Sequence, residues 1–349
     1  MINNSFFSTE ILRWFRENGR DLPWRETKDP YAIWLSEIIL QQTRIAQGWE
    51  YWERFVQTYP KVEDLAAASE DDVLKLWQGL GYYSRARNLH TAAKQIVALG
   101  AFPNTLEGIK SLKGVGDYTA AAIGSFAFDI PAAVVDGNVY RVLSRYFGID
   151  TPINSTQGKK EFAALAQSLL PASDAASYNQ GMMDFGAIQC TPQSPKCLLC
   201  PLAETCEALR CGRVEELPVK NKTVKVKTRH LSYIYIRCKS SAADGAGNSE
   251  PMVAIHRRGE GDIWQGLWEP YNVSDVKELP SFVKNPILLA KDVKHVLTHR
   301  ILLADFHLLE TESRPPLPDD YIWIRESEIE DYGVPRLIEI MLEKINPAE

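Results

Sequence analysis

The sequence predicts an all-α domain followed by an α+β domain. Up to about residue 211, apolar residues recur three and four positions apart between Gly and Pro breaks, whereas beyond Cys211 the period shortens to two. Between the two patterns lies a polar, basic stretch at 212–228 containing Pro218, which reads as a linker. The expected organisation is a helical domain over residues 1–211, the linker over 212–228 and an α+β domain over 229–349.

Phe7, Ile11, Trp14 and Phe15 set the first helix, and Gly19 stops it. Asp29 before Pro30 is an N-cap followed by a first-turn proline, and predicts a helix through about Trp52. Glu37 lies on it with Ile33, Trp34, Leu40 and Gln41 three and four positions away, so its carboxylate projects from an apolar face. Further helices are expected over 62–77, 84–99, 105–112, 119–126, 138–146, 157–169 and 175–185. In the second half, strands are expected over 231–236, 252–255, 287–289, 291–297, 302–309 and 321–324, before a last helix over 335–345. A Gly/Ala/Ser-rich hairpin loop at 240–249 joins the first two strands.

With 349 residues, 45% apolar and 24% charged, the chain can fill two cores, which excludes a disordered or fibrous protein. Its net charge of -6 excludes a general polyanion binder. Charge is uneven, however, with 6 basic against 2 acidic side chains over 212–230, so nucleic-acid contact would be a local patch. Met1 to Ser5 do not resemble a signal peptide, and the longest apolar stretch, 119–135, is broken by Asp129 and Pro131. A cytoplasmic protein without a membrane span is expected.

Three clusters carry chemistry. Leu112-Lys113-Gly114-Val115-Gly116-Asp117-Tyr118-Thr119-Ala120 is a glycine turn between helical patterns, and a helix opened by Gly114 and Gly116 offers bare N–H groups and a positive dipole end to a phosphate. Val134-Val135-Asp136-Gly137-Asn138 follows, with an acid that by itself would be an ordinary turn or cap residue. Cys190, Cys197, Cys200 and Cys206 crowd a turn-rich loop; in a reducing compartment their gaps of six, two and five residues favour a 4Fe–4S cluster, with zinc and unligated thiols as the alternatives.

These clusters together resemble the helix-hairpin-helix DNA glycosylases of the endonuclease III superfamily. Leu35-Ser36-Glu37-Ile38-Ile39-Leu40-Gln41-Gln42-Thr43, Gly79-Leu80-Gly81-Tyr82-Tyr83-Ser84-Arg85 and Asn179-Gln180-Gly181-Met182-Met183-Asp184 resemble its adenine-removing branch. The resemblance spans nearly all of 7–210 and, more loosely, the C-terminal half. It implies a helix-hairpin-helix glycosylase domain with a 4Fe–4S loop at 190–206, then a Nudix-like domain that reads 8-oxoguanine. It further implies a bacterial base excision repair enzyme, monomeric and nucleoid-associated, acting on duplex DNA containing 8-oxoguanine:adenine or guanine:adenine mispairs. Tyr118 stands where the lyase cousins carry a lysine, and a phenol forms no Schiff base, so the activity is monofunctional. Trp264 to Glu269 echo a Nudix start, but no acidic run follows, which argues against a metal-dependent pyrophosphatase.

Removing adenine requires an acid with a raised pKa to protonate the leaving base, and an ionised carboxylate to stabilise the oxocarbenium-like sugar. The resemblance assigns the first role to Glu37 and the second to Asp136, with Tyr118 and Asn138 in support. A stacked base must be flipped out. By resemblance Gln42 and Tyr82 form the wedge beside Leu40; Trp24, Arg25 and Gln180 line the adenine pocket; and Leu297, Thr298 and His299 read the oxidised base, with Leu-Thr in place of the family's Phe-Ser. Two other readings compete: a pyrimidine-directed glycosylase/lyase, which Tyr118 opposes, and a non-catalytic damage-binding module, which the Glu37–Asp136 pair opposes.

Overall fold

The computed structural model describes residues 4–221, 226–239, 250–274, 276 and 278–346. The first helices follow their sequence signals. α1 spans Asn4–Asn18, and α2, Pro30–Ile39, is capped by the Asp29 side chain accepting the Tyr31 N–H at 3.0 Å. The helix expected to reach Trp52 instead ends there, because Gln42 turns into the left-handed region at φ 58° and α3, Ile45–Thr58, starts afresh. The helix expected over 62–77 is likewise two, α4 (Val62–Ala67) and α5 (Glu70–Leu76), since Ser69 caps the second by accepting the Asp72 N–H. There follow α6 (Ser84–Leu99), α7 (Leu106–Lys110), α8 (Asp117–Phe128), α9 (Gly137–Phe147), α10 (Thr156–Leu169), α11 (Ala175–Asp184) and the short α12 (Glu207–Arg210).

Two compact units emerge, Met1–Ala66 with Thr91–Lys222, and Ala67–His90 with Thr223–Glu349. Residues 67–90, which the sequence places in the helical half, therefore count with the second unit. In the first, Phe7, Ile11 and Trp14 of α1 bury against Val142, Leu143 and Tyr146 of α9 and Phe162 of α10. A smaller core joins Ile33 of α2 to Ala121, Ala122 and Phe126 of α8. Glu37 thus sits on a helix whose whole face is buried.

The second unit holds β1 (Lys227–Cys238), β2 (Met252–Arg257), β3 (Trp268–Glu269), β4 (Tyr271–Asn272), β5 (Ile287–Val296), β6 (Arg300–Thr311), β7 (Tyr321–Arg325) and α13 (Arg336–Ile345). Among the described residues they form one sheet in the order β3-β2-β1-β6-β5, with β4 on β1 and β7 on β2. The β1–β6 pair is parallel and the other pairs antiparallel. Side chains alternate as a strand requires: Leu231, Tyr233 and Tyr235 pack with Leu337, Ile338 and Met341 of α13, while Ile234 and Ile236 pack with Tyr271 and Val273. The two strands expected over 287–289 and 291–297 are one, its register broken between Leu288 and Ala290 and again before Val293. The loop expected at 240–249 and residues 222–225 of the linker lie outside the described residues. Among the described residues no helix is long and apolar enough to cross a membrane.

Candidate functional site

Two carboxyls face one cavity of about 190 Å³ in the first unit, Glu37 from α2 and Asp136 from the head of α9. Glu37 is 6% exposed, and the Tyr118 hydroxyl of α8 donates to its Oε2 at 2.6 Å. Burial pushes Glu37 up to about 7, against the pull of the Tyr118 hydrogen bond and of Arg25; neighbouring Asp136 pushes the same way as burial. Asp136 caps α9, its Oδ1 accepting the Val139 N–H at 2.7 Å and its Oδ2 the Asn138 amide at 2.8 Å. Burial raises Asp136 as well, while those donors hold it back and the helix N-terminus favours its charge. Burial thus raises both carboxyls, Glu37 to about 7, and the donors on Asp136 favour its charged form.

A polar scaffold fixes the second carboxyl. Arg141 of α9 donates to Asn138 Oδ1 at 2.8 Å, to the Gly186 carbonyl at 2.6 Å and to the Cys190 carbonyl at 2.8 Å. Gly186 lies in a π-helical turn, Phe185–Gln189, and a Cβ there would stand 2.5 Å from the Cβ and 3.0 Å from the Cα of Asn138. Backbone blocks that space, so Gly186→Ala should displace the start of α9. The expected result is a loss of about 1–3 kcal/mol of stability in thermal unfolding; a wild-type melting curve would show that the contact is slack.

The cavity gathers Trp24, Arg25, Leu40, Tyr118, Asn138 and Gln180 around the two acids. It does not include Gln42, Gly114 or Gly116. Gly114 adopts φ 80°, and Gly116 is the N-cap of α8, with no side-chain cap and open space where a Cβ would be. The amides that open α8 are thus reachable by a closely approaching anion. Gln42 and Tyr82 are both exposed and both left-handed, at φ 58° and 48°, a costly conformation for residues with a side chain. In the second unit the Tyr82 hydroxyl meets the Thr298 hydroxyl, and both line a separate cavity of about 520 Å³ with Leu297 and His299. Leu297, Thr298 and His299 link β5 to β6, and the Leu297–Arg300 backbone bonds close a turn with Thr298 and His299 at its tip.

Cys190, Cys197, Cys200 and Cys206 line one recess with Arg145, whose Nη1 lies 3.5 Å from the Cys190 sulfur. Among the described residues no three His, Cys, Asp or Glu side chains are grouped to hold a single metal ion. Four cysteines lining one recess supply the ligand number that an iron–sulfur cluster takes.

Comparison with known proteins agrees. Residues 35–171 match the HhH-GPD superfamily of base excision DNA repair proteins, 190–206 the iron-sulfur binding domain of endonuclease III, and 247–344 the NUDIX domain. An adenine DNA glycosylase of Buchnera aphidicola subsp. Acyrthosiphon pisum is 31% identical over 97% of each chain. Another, from Buchnera aphidicola subsp. Baizongia pistaciae, is 38% identical over 85% of this chain and 84% of its own. The chain belongs to the adenine DNA glycosylase family. The human family member is 42% identical over 60% of this chain and 41% of its own length. Among solved structures, a thermostable thymine-DNA glycosylase is 34% identical, with a TM-score of 0.56 over 60% of this chain and 97% of its own. An endonuclease III–DNA complex, 22% identical with a TM-score of 0.53 over 61% of this chain and 99% of its own, shares the fold. The iron-sulfur binding match covers all four cysteines, in a loop that abuts α9, so the family's iron–sulfur cluster belongs to this loop. Neither Arg141 nor Gly186 is marked as functional by the sequence; the available signal is an Arg three residues after Asn138 on the same helix face.

Proposed function

We propose that this chain hydrolyses the N-glycosyl bond of adenine mispaired with 8-oxoguanine or guanine in duplex DNA, leaving the strand uncut. The observation that carries the reading is the buried, Tyr118-bonded Glu37 facing Asp136 across a cavity with no lysine in its wall. The flipped adenine enters beside Trp24, Arg25 and Gln180. Glu37 gives its proton to N7, and the C1′–N9 pair leaves with the base. Asp136 stabilises the oxocarbenium-like sugar or traps it covalently, and Glu37, now a carboxylate, takes the proton of the attacking water. Asn138 holds Asp136 towards the sugar.

The remaining residues serve delivery. Gly114 and Gly116 grip a backbone phosphate, Gln42 and Tyr82 with Leu40 fill the gap left by the base, and Leu297, Thr298 and His299 read the opposite base, with the Thr298 hydroxyl as hydrogen-bonding group and no aromatic ring at 297. Within residues 1–211 the first unit carries the catalytic pair, and 229–349 is the reader, joined by the basic linker 212–228, in a cytoplasmic monomer working on the nucleoid. The chain should release adenine from an 8-oxoguanine:adenine duplex and leave an abasic site that breaks only on alkali treatment. Absence of alkali-labile sites in the adenine strand would overturn the reading. Strand cleavage without alkali, trappable by borohydride, would overturn the monofunctional assignment and favour a lyase.

A further inference from the structure

Asp184, the last residue of α11, is fully buried and grips two guanidiniums at once. Arg25 approaches it as a fork, Nη1 on Oδ2 at 2.9 Å and Nη2 on Oδ1 at 2.8 Å. Arg20 gives its backbone N–H to Oδ2 at 2.9 Å and its Nε to Oδ1 at 3.0 Å, with Nη2 on the same oxygen. Arg25 is held further by a 2.8 Å bond from its Nη1 to the Arg20 carbonyl, and its guanidinium lies 5.4 Å from the Phe15 ring centre. Both arginines line the Glu37 cavity, and Asp184 does not. Burial pushes the Asp184 carboxyl up, but the bonds from Arg25 and Arg20 outweigh it and leave it below its ordinary value, so it is ionised at neutral pH.

One buried anion therefore fixes two cations at the wall of the site and cancels part of their charge. We propose that Asp184 is a positioning residue for base release: it seats the two arginines where the flipped base enters and limits the positive charge presented to Glu37. This rests on Glu37 being the acid. The titratable and charged groups facing Glu37 are Tyr118 from α8, Asp136 at the head of α9 and Arg25 of the 3₁₀ turn Pro23–Arg25. Of these Arg25 alone is paired with Asp184. An Arg25 without its partner would draw Glu37 towards the carboxylate, the form that has no proton to give.

The test is single-turnover adenine release across pH with the full, cluster-loaded chain. Asp184→Asn should lower the rate at its optimum roughly tenfold or more, as misplacement of substrate-orienting groups does. It should also move the alkaline limb down by about one pH unit. In an Arg25→Met background the same change should leave the limb where Arg25→Met alone puts it. A wild-type rate and limb in Asp184→Asn, or an equal limb shift in both backgrounds, overturns the proposal. If Asp184→Asn does not accumulate folded with its cluster absorbance, Asp184→Glu is read instead. That variant keeps the charge but is too long to seat both forks, so the rate should fall with the limb in place; a wild-type rate overturns the proposal. Glu37→Gln assayed in parallel separates the failures, because turnover in that variant refutes the acid role and not the clamp.

Discussion

Glu37→Gln should slow adenine release by roughly 10²- to 10⁴-fold, the usual worth of a general acid, while duplex affinity in a binding titration stays near wild type. Glutamine keeps the size of the side chain and an oxygen for the 2.6 Å bond from Tyr118, but its amide has no acidic proton to transfer. A second expectation separates this from simple damage to the fold. With Glu37 raised to about 7 from an ordinary 4.5, the folded state holds this proton more tightly than the unfolded chain does. Ionising Glu37 inside the fold therefore costs nothing below about pH 4.5, costs progressively more as pH rises, and reaches its full size above about pH 7. Glutamine removes that cost, so the variant should be more stable than wild type at pH 8, by up to about 3 kcal/mol, and equal to it at pH 4. Denaturant melts at the two pH values check this. The wild type should correspondingly lose base release as pH rises through about 7. A variant that is inactive and less stable at pH 8 would mean that Glu37 holds the fold together and would count against its being the acid.

How much of this was legible in the sequence depends on the range of the forces involved. The Glu37 environment was, because i±3 and i±4 neighbours on one helix decide what surrounds a side chain, and Ile33, Trp34 and Leu40 are apolar. The cap role of Asp136 was legible for the same local reason, and the structure shows the cap and the cavity-facing carboxylate to be one group. The break after α2 was not, since Leu40-Gln41-Gln42-Thr43 contains neither Gly nor Pro and Gln42 adopts its left-handed φ without any local signal. Nor were the two-residue strands β3 and β4, which exist only because β2 and β1 present edges to them. The clamp at Asp184 joins residues more than 150 positions apart, and a lone acid after Met182-Met183 carries no mark of which cations it will meet. Local chemistry is written locally; the partners that tune it are chosen by the fold.

Asp136→Asn gives the other large effect, because it removes charge while keeping most of the structure. Asn caps helices as well as Asp does, so its Oδ1 can still accept the Val139 N–H that opens α9. At the other atom the exchange is awkward. Asn138 offers its amide to Oδ2 at 2.8 Å, and an amide nitrogen there would set donor against donor. Asn138 cannot escape by flipping, since its own oxygen already accepts from Arg141 at 2.8 Å. One unmet buried donor costs about 1–3 kcal/mol, so a modest drop in melting temperature is expected with the cluster loop, bonded to Arg141 at Cys190, still in place. The chemistry should suffer far more, since the sugar then develops positive charge with no anion beside it. Base release should fall roughly 10²- to 10³-fold, as when a group preorganised for transition-state charge is deleted. Single-turnover rates on the 8-oxoguanine:adenine duplex, read beside the iron–sulfur absorbance and the melting curve, distinguish the two contributions. A rate that falls only in proportion to the folded fraction would reduce Asp136 to a helix cap.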